Sequence, residues 1–86
     1  MRFVIVQHDE RGGKYLFSVP EGHFLYFGDH VIVKTRNGEQ TGVCACDVFA
    51  VEDADVDKVC KMYGTQRNAL KPVIGAVHFS YWEDRP

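Results

Sequence analysis

Short apolar and alternating runs of strand period make up this chain on either side of one stretch with helical period. Phe3-Val4-Ile5-Val6 is β-branched and aromatic without alternation, too short for a helix, and predicts a strand covered on both faces. A turn over Asp9 to Gly13 follows. Tyr15, Phe17 and Val19 then alternate with Leu16 and Ser18 as a second strand, stopped by Pro20-Glu21-Gly22 and paired antiparallel with the first. His23 to Phe27 is too aromatic for an ordinary loop and either plugs the core or meets a partner. Gly28-Asp29 bends the chain into a strand over Val31 to Arg36. Asn37-Gly38 suits a tight type I′ turn, which predicts a hairpin returning over Gln40 to Phe49. Gly42 inside that return marks a bulge, a bend or a close backbone approach.

The period lengthens between Asp53 and Gly64. Val56, Val59, Cys60 and Tyr63 fall at i, i+3, i+4 and i+7, the stripe of a three-turn helix. Asp53 or Asp55 suits its N-cap and Gly64 its left-handed terminus. After a polar loop from Thr65 to Lys71 and the break at Pro72, alternation resumes with Val73, Val77 and Phe79 on one face of a last strand. The expected architecture is therefore α+β and mainly β. It is a small, strongly bent antiparallel sheet or barrel of about five strands, OB-like or Src-homology-3-like, with one helix before the last strand. The expected organisation is one domain over residues 1–82 and a frayed tail, 83–86.

Composition narrows the function classes. At 86 residues there is room for one core. Ten Lys and Arg against twelve Asp and Glu give a net charge of −2, so binding to nucleic acid or acidic lipid requires a local patch. Three cysteines are too few and too irregular for a secreted disulfide framework, and a reducing, cytoplasmic setting is expected. The run Phe3 to Val6 is far too short for a signal core or a membrane span, so a soluble, unprocessed chain without a membrane partner is expected.

Few residues carry chemistry. Cys44 and Cys46 share a strand face, and Cys60 with His30 or His78 would complete a zinc set, but the spacing departs from the Cys-x₂₋₄-Cys of structural sites and core packing is the expected role. A thiol nucleophile would need one of His8, His23, His30 or His78 as its base, and no signature pairs them. The carboxylates from Asp47 to Asp57 fit a helix start, where they favour the dipole without catalysis. Neither Gly12-Gly13 nor Asn37-Gly38 has the form of a phosphate loop. No enzymatic activity, metal or cofactor is expected.

What remains is cationic groups interleaved with rings. Tyr15, Tyr26, Lys34, Arg36, Arg67 and Lys71 form the candidate surface for single-stranded DNA or RNA, with bases stacked on rings and cations tracking phosphates. The alternative is a protein-interaction or self-assembling module built on Phe24, Leu25 and Phe27.

The stretch KYLFSVPEGHFLYFGDHVIVKTRNGEQTGVCACDVF, followed by LKPVIGAV, resembles the N-terminal DNA-binding domain of the primosomal helicase PriA family. The resemblance rests on Tyr15, Phe17, Val19, Pro20, Glu21, Gly22, Gly28, Val31, Val33, Gly42, Val43, Leu70, Lys71 and Val73, most of them turn or core residues. It implies a small barrel that cradles a DNA 3′ end. Leu16 stands where that family has an acidic contact to the end, so this contact does not carry over. Helicase motor motifs are absent, and the chain looks like the barrel alone, of a kind a phage or mobile element would carry. GDHVIVKTRNGEQTG is also similar to the C-terminal domain of the polymerase-suppressor family and to Src-homology-3-like barrels.

Overall fold

The computed structural model describes residues 1–8, 12–76 and 80–81. Its strands are β1 (Arg2–Gln7), β2 (Lys14–Ser18), β3 (His30–Thr35), β4 (Gly38–Cys44), β5 (Phe49–Ala50), β6 (Val73–Ala76) and β7 (Ser80–Tyr81), with helix α1 (Val56–Met62) between β5 and β6. They form one antiparallel sheet in the order β2-β1-β4-β3-β6-β7, and β5 also pairs with β1. This is the α+β, mainly β, strongly bent sheet that the periodicity predicts, with the helix ahead of the final strands. The barrel alternative is not realised. The sheet curls until Ser18 at the end of β2 meets Pro72 ahead of β6, but they share a single parallel bridge, not a ladder.

The strand count exceeds five because one predicted strand is divided and a further short strand, β7, lies beyond the predicted last one. Gln40 to Phe49 breaks after Cys44: β1 advances three residues from Phe3 to Val6 while its partner advances five from Cys44 to Phe49. The two extra residues form a bulge over 45–48, where the Val48 amide donates to the Leu25 carbonyl at 3.0 Å instead of to a sheet partner. The described part of the last predicted strand is β6, and β7 pairs back on it. Val77, His78 and Phe79 lie outside the described residues, as do Trp82, the tail 83–86 and the first part of the Asp9–Gly13 turn.

The hairpin forms, with its reversal one residue earlier than Asn37-Gly38. Thr35 pairs with Gly38, so Arg36 and Asn37 occupy the turn. Gly38, at φ +103°, supplies the left-handed residue that follows the reversal. The Thr35 hydroxyl closes the loop, donating to the Gly38 carbonyl at 2.8 Å and accepting from the Asn37 amide at 3.2 Å. Gly42 is a close approach: a β-carbon there would lie 2.5 Å from Cγ1 of Val6 and 3.1 Å from the Gln7 carbonyl oxygen.

β1 is covered on both faces, as its unbroken apolar run predicts. Val4 and Val6 join Phe17, Val19, Leu25, Val31, Val33, Cys44 and Val73 inside the curl. Phe3 faces the other way and packs with Leu16, Val56 and Cys60 beneath α1. Each such side chain contributes about 1.5–3 kcal/mol on burial. The stripe Val56, Val59, Cys60 and Tyr63 is therefore the face that α1 lays on β1 and β2. Gly64, at φ +70°, ends the helix, with the Thr65 amide on the Cys60 carbonyl at 3.0 Å and the Gly64 amide on that of Lys61 at 3.1 Å.

The start of the helix differs from expectation. A 3-10 turn, Asp53–Asp55, precedes α1, and neither Asp53 nor Asp55 caps it through its side chain. The Asp53 carboxylate is instead taken by Arg67, which carries the chain back over the helix start.

Candidate functional site

The segment 23–27 does both things its composition allows. Leu25 is 1% exposed and fills the inner core, while Phe24, Tyr26 and Phe27 are 68%, 61% and 74% exposed. One buried leucine pins the middle of the loop and turns its neighbours outward. Leu25, expected among the partner-contacting residues, is thereby corrected to a core residue.

The outward rings stand on a tightly bonded backbone. The Tyr26 amide donates to Oδ2 of Asp29 at 2.9 Å, and the Phe27 amide to Oδ1 of Asp47 at 2.8 Å. The Asp29 amide returns to the Tyr26 carbonyl at 2.9 Å, closing a turn. The sheet holds its far side: Gly28 donates to the Cys44 carbonyl at 2.9 Å, and the Cys44 amide to that of Asp29 at 2.8 Å. On the near side the Arg2 guanidinium donates to the carbonyls of Pro20 and His23 at 3.1 and 2.6 Å and lies 4.8 Å from the centre of the Phe24 ring. Phe24, Tyr26 and Phe27 each leave most of their surface to solvent, and exposed apolar surface of this kind on a monomer is often functional.

Asp47 is a second correction. Grouped by sequence with the carboxylates of a helix start, it belongs to the bulge at 45–48 and anchors the aromatic loop. Arg2, Asp29 and Asp47 are the site residues that sequence reading missed. Only Gly28-Asp29, read as a bend, carried a local signal.

The cationic set is dispersed. Tyr15 is 49% exposed and lies beside the His8 ring at 5.5 Å. Lys34 faces Glu39 across the hairpin, and Arg36 is in the turn. Tyr26 is at the opposite end of β3, whose stretch from His30 to Lys34 spans about 13 Å. Lys71 is exposed, and its carbonyl accepts from the Ser18 amide at 3.0 Å. Arg67 is engaged: its guanidinium meets Asp53 at 2.7 Å and Asp57 at 3.3 Å, and donates to the Asp53 carbonyl at 3.0 Å. Those bonds hold the Asp53 carboxyl below its ordinary range and raise Arg67.

The three thiols do not come together: Cys46 lies near Cys44, and Cys60 is apart from both. Cys44 lies in the inner core and Cys60 in the cluster under α1, on opposite faces of β1, and Cys46 is half-buried. No group of three or more His, Cys, Asp or Glu among the described residues is placed to hold a metal. Burial, helped by Asp29 and Cys46, pushes the Cys44 thiol up to about 12, which suppresses the nucleophilic thiolate at neutral pH. Leu16 packs with Phe3, Val56 and Cys60. No helix among the described residues is long and apolar enough to cross a membrane.

No family model matches the chain, and no curated protein or solved structure is similar to it.

Proposed function

We propose that this protein is a non-enzymatic binding module that docks another protein through Phe24, Tyr26 and Phe27. The observation that carries this reading is the combination of bare rings with a bonded backbone. A loop already held by Asp29, Asp47 and β4 loses little conformational freedom on association, so most of the gain from covering the rings is retained as affinity. Aromatic side chains with few rotatable bonds dominate such contacts.

Nucleic acid is the reading supported less well. Tyr15, Tyr26, Lys34, Arg36 and Lys71 remain available for it, but Arg67 is bound to two carboxylates and Lys34 stands opposite Glu39. Asp29 and Asp47, bonded to the backbone amides of Tyr26 and Phe27, put negative charge next to two of the three exposed rings' residues, and such charge repels phosphate.

The test is a photo-crosslinking phenylalanine analogue in place of Phe27, used in the source cell with the crosslinked peptides sequenced. Crosslinks to a discrete protein, lost when Tyr26→Ala and Phe24→Ala are added, are expected. Crosslinks only to nucleic acid, or none to protein, overturn the reading.

A further inference from the structure

The charge around the exposed rings bears on what covers them. Segments 20–30 and 44–48, which build this end of the molecule, contain Glu21, Asp29 and Asp47 and no lysine or arginine. The cation that does reach the loop, Arg2, comes from β1 and is bonded to two carbonyls under Phe24. That contact is an internal example of what these ring faces accept: a guanidinium 4.8 Å from the centroid. Among the described residues no cation lies over Tyr26 or Phe27 in the same way. Asp29 uses Oδ2, and Asp47 uses Oδ1, to hold the amides of those two residues. Both carboxylates are thus held at hydrogen-bond distance from the Tyr26 and Phe27 backbone, and each has a second oxygen able to accept from a further donor.

We propose that the loop 24–29 receives a basic segment of a partner protein, whose arginine or lysine side chains lie across Tyr26 and Phe27 and pair with Asp29 and Asp47. The inference rests on the protein-docking reading and adds the chemistry of the partner. Ring face and carboxylate attract the same cation, so each strengthens the other where association excludes water. An acidic partner, or a phosphate backbone, meets repulsion from the same carboxylates.

The experiment uses the full chain and four labelled peptides of equal length on one Gly-Ser scaffold, bearing arginine, lysine, citrulline or glutamate, with a single-stranded oligonucleotide alongside. Arginine and lysine peptides are expected to bind, the neutral citrulline isostere about tenfold more weakly and the glutamate peptide not at all. Asp47→Asn keeps an acceptor for the Phe27 amide while removing the charge, and it should weaken arginine-peptide binding about tenfold, as should Phe27→Ala. Met62→Ala, an exposed apolar change on α1, should leave binding unchanged. Failure of every cationic peptide to bind, equal binding of arginine and citrulline peptides, an unaffected Asp47→Asn, or binding of the oligonucleotide alone overturns the inference. Crosslinks from position 27 to a protein segment without cations would overturn it while sparing the docking reading. Absence of any protein crosslink removes both.

Discussion

The amide of Phe27 donates to the carboxylate of Asp47 across twenty positions of sequence at 2.8 Å, and this bond ties the aromatic loop to the bulge between β4 and β5. It links a local irregularity of the sheet to the surface that the molecule presents. Asp47→Ala should therefore cost about 0.5–1.5 kcal/mol and free the Phe27 amide, whereas Asp47→Asn keeps an acceptor and costs less. Amide hydrogen exchange at Phe27 checks this: faster in Asp47→Ala, near the parent rate in Asp47→Asn.

Gly42 leaves no room for a β-carbon beside Val6. Gly42→Ala must displace the Val6 side chain from the inner core, and a loss of about 1–3 kcal/mol is expected. Chemical denaturation measures it. The double change Gly42→Ala with Val6→Ala should cost less than the sum of its two single changes if the clash is its source.

Cys44 gives a pH dependence with a defined sign. The folded state holds its proton up to about 12, while the unfolded thiol releases it near the ordinary 9.0. Above 9 the unfolded chain therefore binds fewer protons than the folded one, so this thiol's contribution is intact at neutral pH and is lost as pH rises from 9 toward 12. Denaturation of Cys44→Ala against the parent across that range should show a flatter alkaline limb in the variant. Under native conditions near pH 8, Cys44 should resist alkylation that it accepts once unfolded.

Arg67 acts between elements more than toward a ligand. Its bonds to Asp53 and Asp57 fasten the 3-10 turn Arg67–Ala69 onto the start of α1. Because Asp53 is held below its ordinary range, that contribution is present at neutral pH and is lost as pH falls through the Asp53 titration. Arg67→Met should return Asp53 to an ordinary titration, followed by carboxyl chemical shifts, and leave peptide binding at the aromatic loop unchanged.

The elements that were legible in the sequence are those set by periodicity. The unbroken run Phe3 to Val6 marks a doubly covered strand because Val4 and Val6 face the inner core and Phe3 the helix. The stripe from Val56 to Tyr63 is equally direct. The hairpin was legible, but its register was not, since a glycine after asparagine serves either inside a primed turn or as the left-handed residue just beyond a reversal. The aromatic loop was visible as an anomaly of composition. Its division into one buried leucine and three bare rings depends on Leu25 reaching a core made by strands distant in sequence. Asp47 was misread for the same reason: its partner is a backbone amide in another segment, which no local pattern encodes.

Hydroxyl-radical footprinting of the dilute protein tests the central claim most directly, because it reads side-chain access ring by ring. The account predicts rapid oxidation of Phe24, Tyr26 and Phe27, with Phe3 and Phe17 protected until the chain unfolds. Protection of the three loop rings in the free monomer, at the level of Phe3, would contradict it.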